Sequence, residues 1–195
     1  MAQITVERGV GGIEGLCLIT PAVHGDSRGW FMETYSRRDL EEAGLCVSFV
    51  QDNESMSGKG VLRGLHFQRR FPQAKLVRVS RGVVFDVAAD IRPGSPTFGH
   101  WHGELLSAEN RRQLFIPRGF AHGSLVLSDE ALFCYKCDDF YHPEDECGIA
   151  WDDPDLGIAW PRVVNGALDG LPLCLSDRDR LWKRLKDTDL TGFNY

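Results

Sequence analysis

The sequence predicts an all-β fold of many short strands, a sandwich or barrel with short peripheral helices. Twenty-one glycines and nine prolines punctuate the 195 residues. Between them lie short runs rich in β-branched and aromatic side chains, the texture of strands separated by turns. Only two stretches have helical character.

The expected strands, in chain order, are "GLCLIT", "GWFMETY", "SFVQDN", "VLRGLHFQ", "KLVRVSR", "VVFDVAADI", "WHGELLS", "RQLFIP", "HGSLVLS", "ALFCYKCDDF" and "GIAWDD". Among the helices, "SRRDLEEAGL" has Ser36 as its N-cap and stops at Gly44, where a left-handed residue ends a helix at low steric cost. The second, "SDRDRLWKRLKD", starts at Ser176 and carries basic residues toward its C-terminal half, as the helix dipole favours. The β core is expected from about residue 15 to about residue 160, followed by a helical tail. No fixed-period repeat, low-complexity segment or linker interrupts it.

With 43% hydrophobic residues the chain fills one core, so a single domain over residues 1–195 is expected. The formal charge of −6, without a basic run, argues against nucleic acid as a partner. No stretch approaches the roughly 20 apolar residues that span a bilayer, and "MAQITVERGVGG" does not resemble an export signal. A cytoplasmic protein with no membrane partner is expected. The six cysteines then read as reduced thiols. "CYKC" (Cys134, Cys137) has ligand-like spacing but lacks a second pair, and residues three apart in a strand face opposite ways. Packing is the simpler role.

Function is carried by polar groups in apolar contexts. In "VLRGLHFQ", alternation puts Val61, Arg63, Leu65 and Phe67 on one face, and Leu62, Gly64, His66 and Gln68 on the other. Arg63 and His66 then point apart unless Gly64 marks a bulge that turns both into one cavity. Gln51, Asp52 and Asn53 follow "SFV", Lys75 opens "KLVRV", His122 follows a Pro-x-Gly turn in "IPRGFAHG", and Tyr135 and Lys136 interrupt "FCYKC". Burying an unpaired Lys or His costs several kcal/mol. Such residues on inner strand positions therefore point to a polar pocket.

"IPRGFAHG" matches the second cupin motif, Pro-x-Gly-x-x-His. Together with "GDSRGWFMETY", "VSFVQDNESMSGKGVLRGLHFQ", "KLVRVSRGVVFDVAADIRPGSPTFG", "LSAENRRQLFIPRGFAHGSLVLS" and "YKCDDFYHPEDECGIAWDDPDLGIAWP", it closely resembles the dTDP-4-dehydrorhamnose 3,5-epimerase family over roughly residues 13 to 180. The resemblance implies a cupin-type jelly-roll β-barrel, a homodimer, catalysis without metal or other cofactor, and a dTDP-4-keto-6-deoxy-hexose substrate on the route to dTDP-L-rhamnose. It places the general base at His66, the acid on the opposite face at Tyr135, Lys75 near the substrate carbonyl, His122 in the pocket, and Asp179 behind the base. Nucleotide contacts fall on Arg28, Glu33, Gln51, Asp52, Asn53, Arg63, Glu146 and Arg178, with Tyr141 stacking on thymine.

The chemistry suits these residue types. Inverting a carbon beside a ketone needs a base, a stabiliser for the enolate oxygen, and an acid on the other face. Neutral imidazole is a base at pH 7, lysine supplies positive charge where the oxyanion develops, and a tyrosine phenol still holds its proton. Asp179 fits two readings: partner of the base, or, as Ser176-x-x-Asp179, the capping box of the tail helix. Arginines grip a diphosphate bidentately. A metal-dependent cupin is disfavoured because "LHFQ" has Phe67 and Gln68 where a His-x-His motif with a following glutamate would stand. Other readings are an epimerase that inverts C3 or C5 alone and a non-catalytic sugar-nucleotide binding module.

Overall fold

The computed structural model describes residues 3–193 and 195, so Met1, Ala2 and Asn194 of the expected 1–195 domain lie outside the described residues. The chain folds into two antiparallel sheets, packed face to face as a jelly roll. In the larger sheet β1 (Ile4–Arg8), β2 (Cys17–Pro21), β10 (Gln113–Ile116), β7 (Lys75–Arg81), β12 (Glu130–Cys137) and β5 (Gln51–Gly58) lie side by side in that order. The smaller follows the order β13 (Glu146–Gly148), β6 (Leu62–Gln68), β11 (Phe120–Val126), β8 (Val83–Asp90) and β9 (Trp101–Ser107). A hairpin of β3 (His24–Asp26) and β4 (Gly29–Phe31) stands apart, as does a small sheet of β14 (Val163–Val164), β15 (Ala167–Leu168) and β16 (Leu171–Pro172).

Strict alternation along the strands divides the apolar residues into three layers. Val77, Val84, Ala88, Leu114 and Phe133 pack between the sheets. Leu65, Phe67, Val87 and Ala89 face outward from the smaller sheet and are covered by Ile149, Trp160, Leu173, Leu185 and Phe193 of the C-terminal third. Cys17, Ile19, Leu76 and Phe115 cover the outer face of the larger sheet, where Leu40 and Leu45 pack on them. Leu40 belongs to α1 (Arg37–Glu42), whose Ser36 N-cap accepts a hydrogen bond from the Asp39 amide, and Gly44 just beyond it has φ +73°. Among the described residues no helix is long and apolar enough to cross a membrane.

Four expectations are corrected. Of "GIAWDD" only Gly148 lies in a strand, β13, and Ile149 makes a single bridge before the chain turns. The segment "SFV" is not part of a strand; β5 starts at Gln51 and runs on through the polar "ESMSG", paired with β12 along its whole length. The run "ITVER" forms β1, an edge strand on β2 that was not expected. The tail "SDRDRLWKRLKD" is not an α-helix: it makes turns and then one 3-10 turn at Leu185–Asp187. Here tertiary partners replace the helical bonds. Ala150 N–H donates to the Lys183 carbonyl (2.8 Å), and Leu185 N–H donates to Asp153 Oδ2 (2.7 Å) as the Leu185 side chain enters the core.

Candidate active site

A cavity of about 350 Å³ opens between the two sheets. The strand period determines what lines it. On β7, Leu76 packs outside and Lys75 and Val77 face in; on β12, Cys134 and Lys136 face out and Phe133, Tyr135 and Cys137 face in. Cys134 and Cys137 therefore lie on opposite faces, and all six cysteines are free thiols. On β5, Gln51, Asn53 and Ser55 face the cavity.

β6 breaks the period. Against β11, His122 pairs with His66 while Ser124 pairs with Arg63, so three residue steps on β6 oppose two on β11. This bulge contains Gly64 at φ +113°, packed so closely on β11 that a Cβ there would sit 2.6 Å from Gly123 Cα and from the His122 carbonyl oxygen. Only glycine fits, and the extra residue turns both Arg63 and His66 into the cavity.

Two histidine–carboxylate pairs stand on this wall. His66 Nε2 lies 2.5 Å from Asp179 Oδ1. An ionised carboxylate only accepts, so Nε2 carries the hydrogen and the neutral ring keeps its lone pair on Nδ1. Asp179 is buried, which alone would raise its pKa. Hydrogen bonds from His66, Ser176 Oγ (2.8 Å) and Trp182 Nε1 (3.2 Å) outweigh burial and hold the carboxyl below its ordinary range. The structure pairs Asp179 with the base and does not bear out the helix-capping reading: Ser176 Oγ also accepts from the Asp179 amide (3.1 Å), but only within a turn that leads into no α-helix.

The second pair is His122 Nε2 with Asp86 Oδ1, at 2.8 Å. Asp86 was missed in the sequence, although its signal was there: a carboxylate between Val84 and Ala88 on the inner face of β8. Desolvation holds His122 below the ordinary imidazole range, against the pull of Asp86. Lys75 has no ion-pair or hydrogen-bond partner among the described residues, and burial depresses its pKa, partly offset by Cys137 and Asp86. Burial raises the Tyr135 phenol and pushes the Cys137 thiol up to about 11. Both remain protonated at neutral pH.

The mouth is polar and aromatic. Arg63 donates to Ser57 Oγ (3.1 Å), and Tyr141, half exposed, donates its hydroxyl to Glu146 Oε2 (3.1 Å). The Tyr141 loop is pinned from both sides: the Tyr141 amide donates to Gln51 Oε1 (3.0 Å) and the His142 amide to Gln68 Oε1 (2.6 Å). Arg178 pairs with Glu146 at the rim. Among the described residues no three His, Cys, Asp or Glu side chains converge as a metal site.

Three expected contacts are not brought to this cavity within the chain. Asp52 points to the opposite face of β5, where it pairs with Lys136 (2.7 Å), because alternation that turns Gln51 and Asn53 inward turns Asp52 outward. Arg28 sits on the β3–β4 hairpin with its side chain 88% exposed, hydrogen-bonded to Asp26. Glu33 follows that hairpin and lines a separate small crevice beside Tyr35.

A jelly roll with a cavity of titratable side chains and an arginine at its rim defines a cupin-type barrel equipped for proton transfer on an anionic ligand. The family model for dTDP-4-dehydrorhamnose 3,5-epimerase matches residues 11–187, and the chain belongs to that family of enzymes. It is 57% identical over 175 residues to the dTDP-4-dehydrorhamnose 3,5-epimerase of Methanothermobacter thermautotrophicus, covering 90% of this chain and 92% of the relative. The enzyme of the same name from Pseudomonas aeruginosa is 56% identical over 178 residues, covering 91% and 94%. The crystal structure of dTDP-6-deoxy-D-glucose-3,5-epimerase from Legionella pneumophila, in complex with dTDP-4-keto-L-rhamnose, superposes with a TM-score of 0.89 at 48% identity and 97% coverage of both chains.

Proposed function

We propose that this chain epimerises C3 and C5 of dTDP-4-keto-6-deoxy-D-glucose to give dTDP-4-keto-L-rhamnose, through enolate intermediates. The observation that carries the reading is one cavity holding a histidine paired to a buried carboxylate, an unpaired lysine and a protonated tyrosine. In this reading His66 Nδ1 removes the proton α to the ketone. Asp179 fixes the tautomer and stabilises the imidazolium that forms. The enolate oxygen develops its charge beside Lys75, whose side chain makes no ion pair among the described residues. Tyr135 then delivers a proton to the carbanion from the other face, and the cycle repeats at the second carbon. His122, held by Asp86 through Nε2, lines the same wall of the cavity as Lys75.

The sugar nucleotide would lie along the mouth, its diphosphate on Arg63 and Arg178, its base on the Tyr141 ring, with Gln51, Asn53 and Glu146 contacting sugar and base. Arg28 and Glu33 reach a nucleotide only if a second copy supplies them. Their hairpin exposes Trp30 (58%) and Phe31 (65%), an apolar surface that suits a homodimer in which one protomer's hairpin borders its partner's cavity. Six free thiols fit a reducing compartment and support placement in the cytoplasm.

The test is incubation with dTDP-4-keto-6-deoxy-D-glucose in D2O with added chelator, following deuterium entry by NMR. Label at both C3 and C5, lost in His66→Ala, is the expected result. Label at one carbon alone would reassign the chain to single-centre epimerisation, and no exchange would leave a binding module.

A further inference from the structure

The Asp179 carboxylate receives a donor for which the proposed mechanism has no role. Trp182 Nε1 lies 3.2 Å from Oδ1, the same oxygen that His66 Nε2 meets at 2.5 Å, while Ser176 Oγ occupies Oδ2 at 2.8 Å. The indole ring stands edge-on to the imidazole, with centroids 6.2 Å apart and planes at 73°. Its seat is built by two independent features. Gly148 pairs directly with His66 in the sheet, and a Cβ there would lie 2.4 Å from Trp182 Cε2, so the absence of a side chain opens the slot that the ring fills. The following residue is tied down as Lys183 bridges to Ile149, with its carbonyl accepting from Ala150 N–H (2.8 Å). The ring does not line the cavity.

From this geometry we infer that Trp182 is a positioning residue for the base: its indole N–H and ring edge hold Asp179 Oδ1 and the His66 ring in the one orientation that presents Nδ1 to the cavity. The inference rests on the reading of His66 and Asp179 as the base pair. Without the indole, Oδ1 has His66 as its single partner. The carboxylate is then held by His66 and Ser176 alone, and the imidazole loses the wall that limits its swing. Turnover falls while nucleotide binding is retained, because the Trp182 ring does not line the cavity and has no bond to Arg178 or Glu146.

The experiment is a double-mutant cycle on the full chain with Trp182→Phe, Asp179→Ala and the double variant, measuring kcat for epimerisation and Kd for dTDP. Trp182→Phe keeps an aromatic ring and removes the donor. Expected are a loss of kcat on the order of tenfold for Trp182→Phe, a dTDP Kd unchanged within about twofold, a larger loss for Asp179→Ala, and no further loss in the double variant. An unchanged kcat in Trp182→Phe beside an impaired Asp179→Ala would overturn the inference and leave the base pair standing. Additive losses in the double variant, or lost dTDP binding in Trp182→Phe, would also overturn it, since the ring would then act elsewhere or merely support the fold. If Asp179→Ala keeps the parent rate, the base-pair reading itself fails and takes the inference with it.

Discussion

Replacing Gly64 with alanine should damage stability and activity together, because one glycine shapes both the sheet and the cavity wall. Two costs add. Gly64 sits at φ +113°, outside the regions L-residues populate, a strain on the order of 1–3 kcal/mol. The new methyl would also lie 2.6 Å from Gly123 Cα and from the His122 carbonyl. Those are backbone atoms in a paired strand, so no rotamer change relieves the overlap, and overpacking of this kind costs roughly 1–3 kcal/mol more. The sum, about 2–6 kcal/mol, is a large share of the ~5–15 kcal/mol that holds a domain together. Relief by pushing β6 from β11 would move His66 and His122, which face each other across this pairing. Urea unfolding of Gly64→Ala should show a midpoint lowered by a corresponding amount, and at temperatures where the variant stays folded its epimerisation rate should fall at least tenfold. A loss of stability under about 1 kcal/mol with full activity would refute the claim that the bulge sets the site.

Three further outcomes follow from the electrostatics. Burial alone would raise the Asp90 pKa, but hydrogen bonds from Arg92, Ser95 and Thr97 hold it at about 2, against an ordinary 3.8. A depressed carboxyl stabilises the fold above its unfolded value and loses that contribution as pH falls through the folded one. The stability gap between parent and Asp90→Asn should therefore narrow by about 2 kcal/mol between pH 6 and pH 2, read from urea midpoints. Lys75 is depressed by burial, so its charge is lost below the usual lysine range as pH rises. The alkaline limb of kcat should lie below pH 10.5 and disappear with a roughly 10²–10³-fold lower plateau in Lys75→Met. Tyr135→Phe should abolish inversion by a factor on the order of 10²–10⁴. His66 should still exchange the α-proton with D2O on one face, seen by NMR as label without epimerisation; equal loss of exchange would show that Tyr135 does more than reprotonate.

The legible part of this protein is the part governed by the two-residue period. β7 and β9 coincide with "KLVRVSR" and "WHGELLS" residue for residue, each run being bounded by loop or turn residues at both ends. The same period places Lys75, Tyr135 and His122 on inner positions, so a polar pocket could be read before any coordinates. It also turned Asp52 away from Gln51 and Asn53, a consequence that was available and not drawn. What failed is what pairing or long-range contact decides. β5 continues through "ESMSG" because β12 offers eight partners, not because those residues prefer a strand. The tail reads as helical from its start at Ser176 and the basic residues in its C-terminal half, which would set Leu181 and Leu185 about one turn apart. The fold separates them, Leu181 79% exposed and Leu185 in the core, once the Asp153 carboxylate and Ala150 amide supply the backbone bonds a helix would have made for itself. The carboxylate behind the base is the same case. Asp179 lies 113 residues from His66, and the spacing around it speaks only of its local turn. Its partnership with His66 depends on that turn not becoming a helix: the unhelical backbone lets residue 183 bridge to Ile149 and sets the Trp182 ring against Gly148, beside the histidine. The misread tail and the assembly of the base are thus one structural fact.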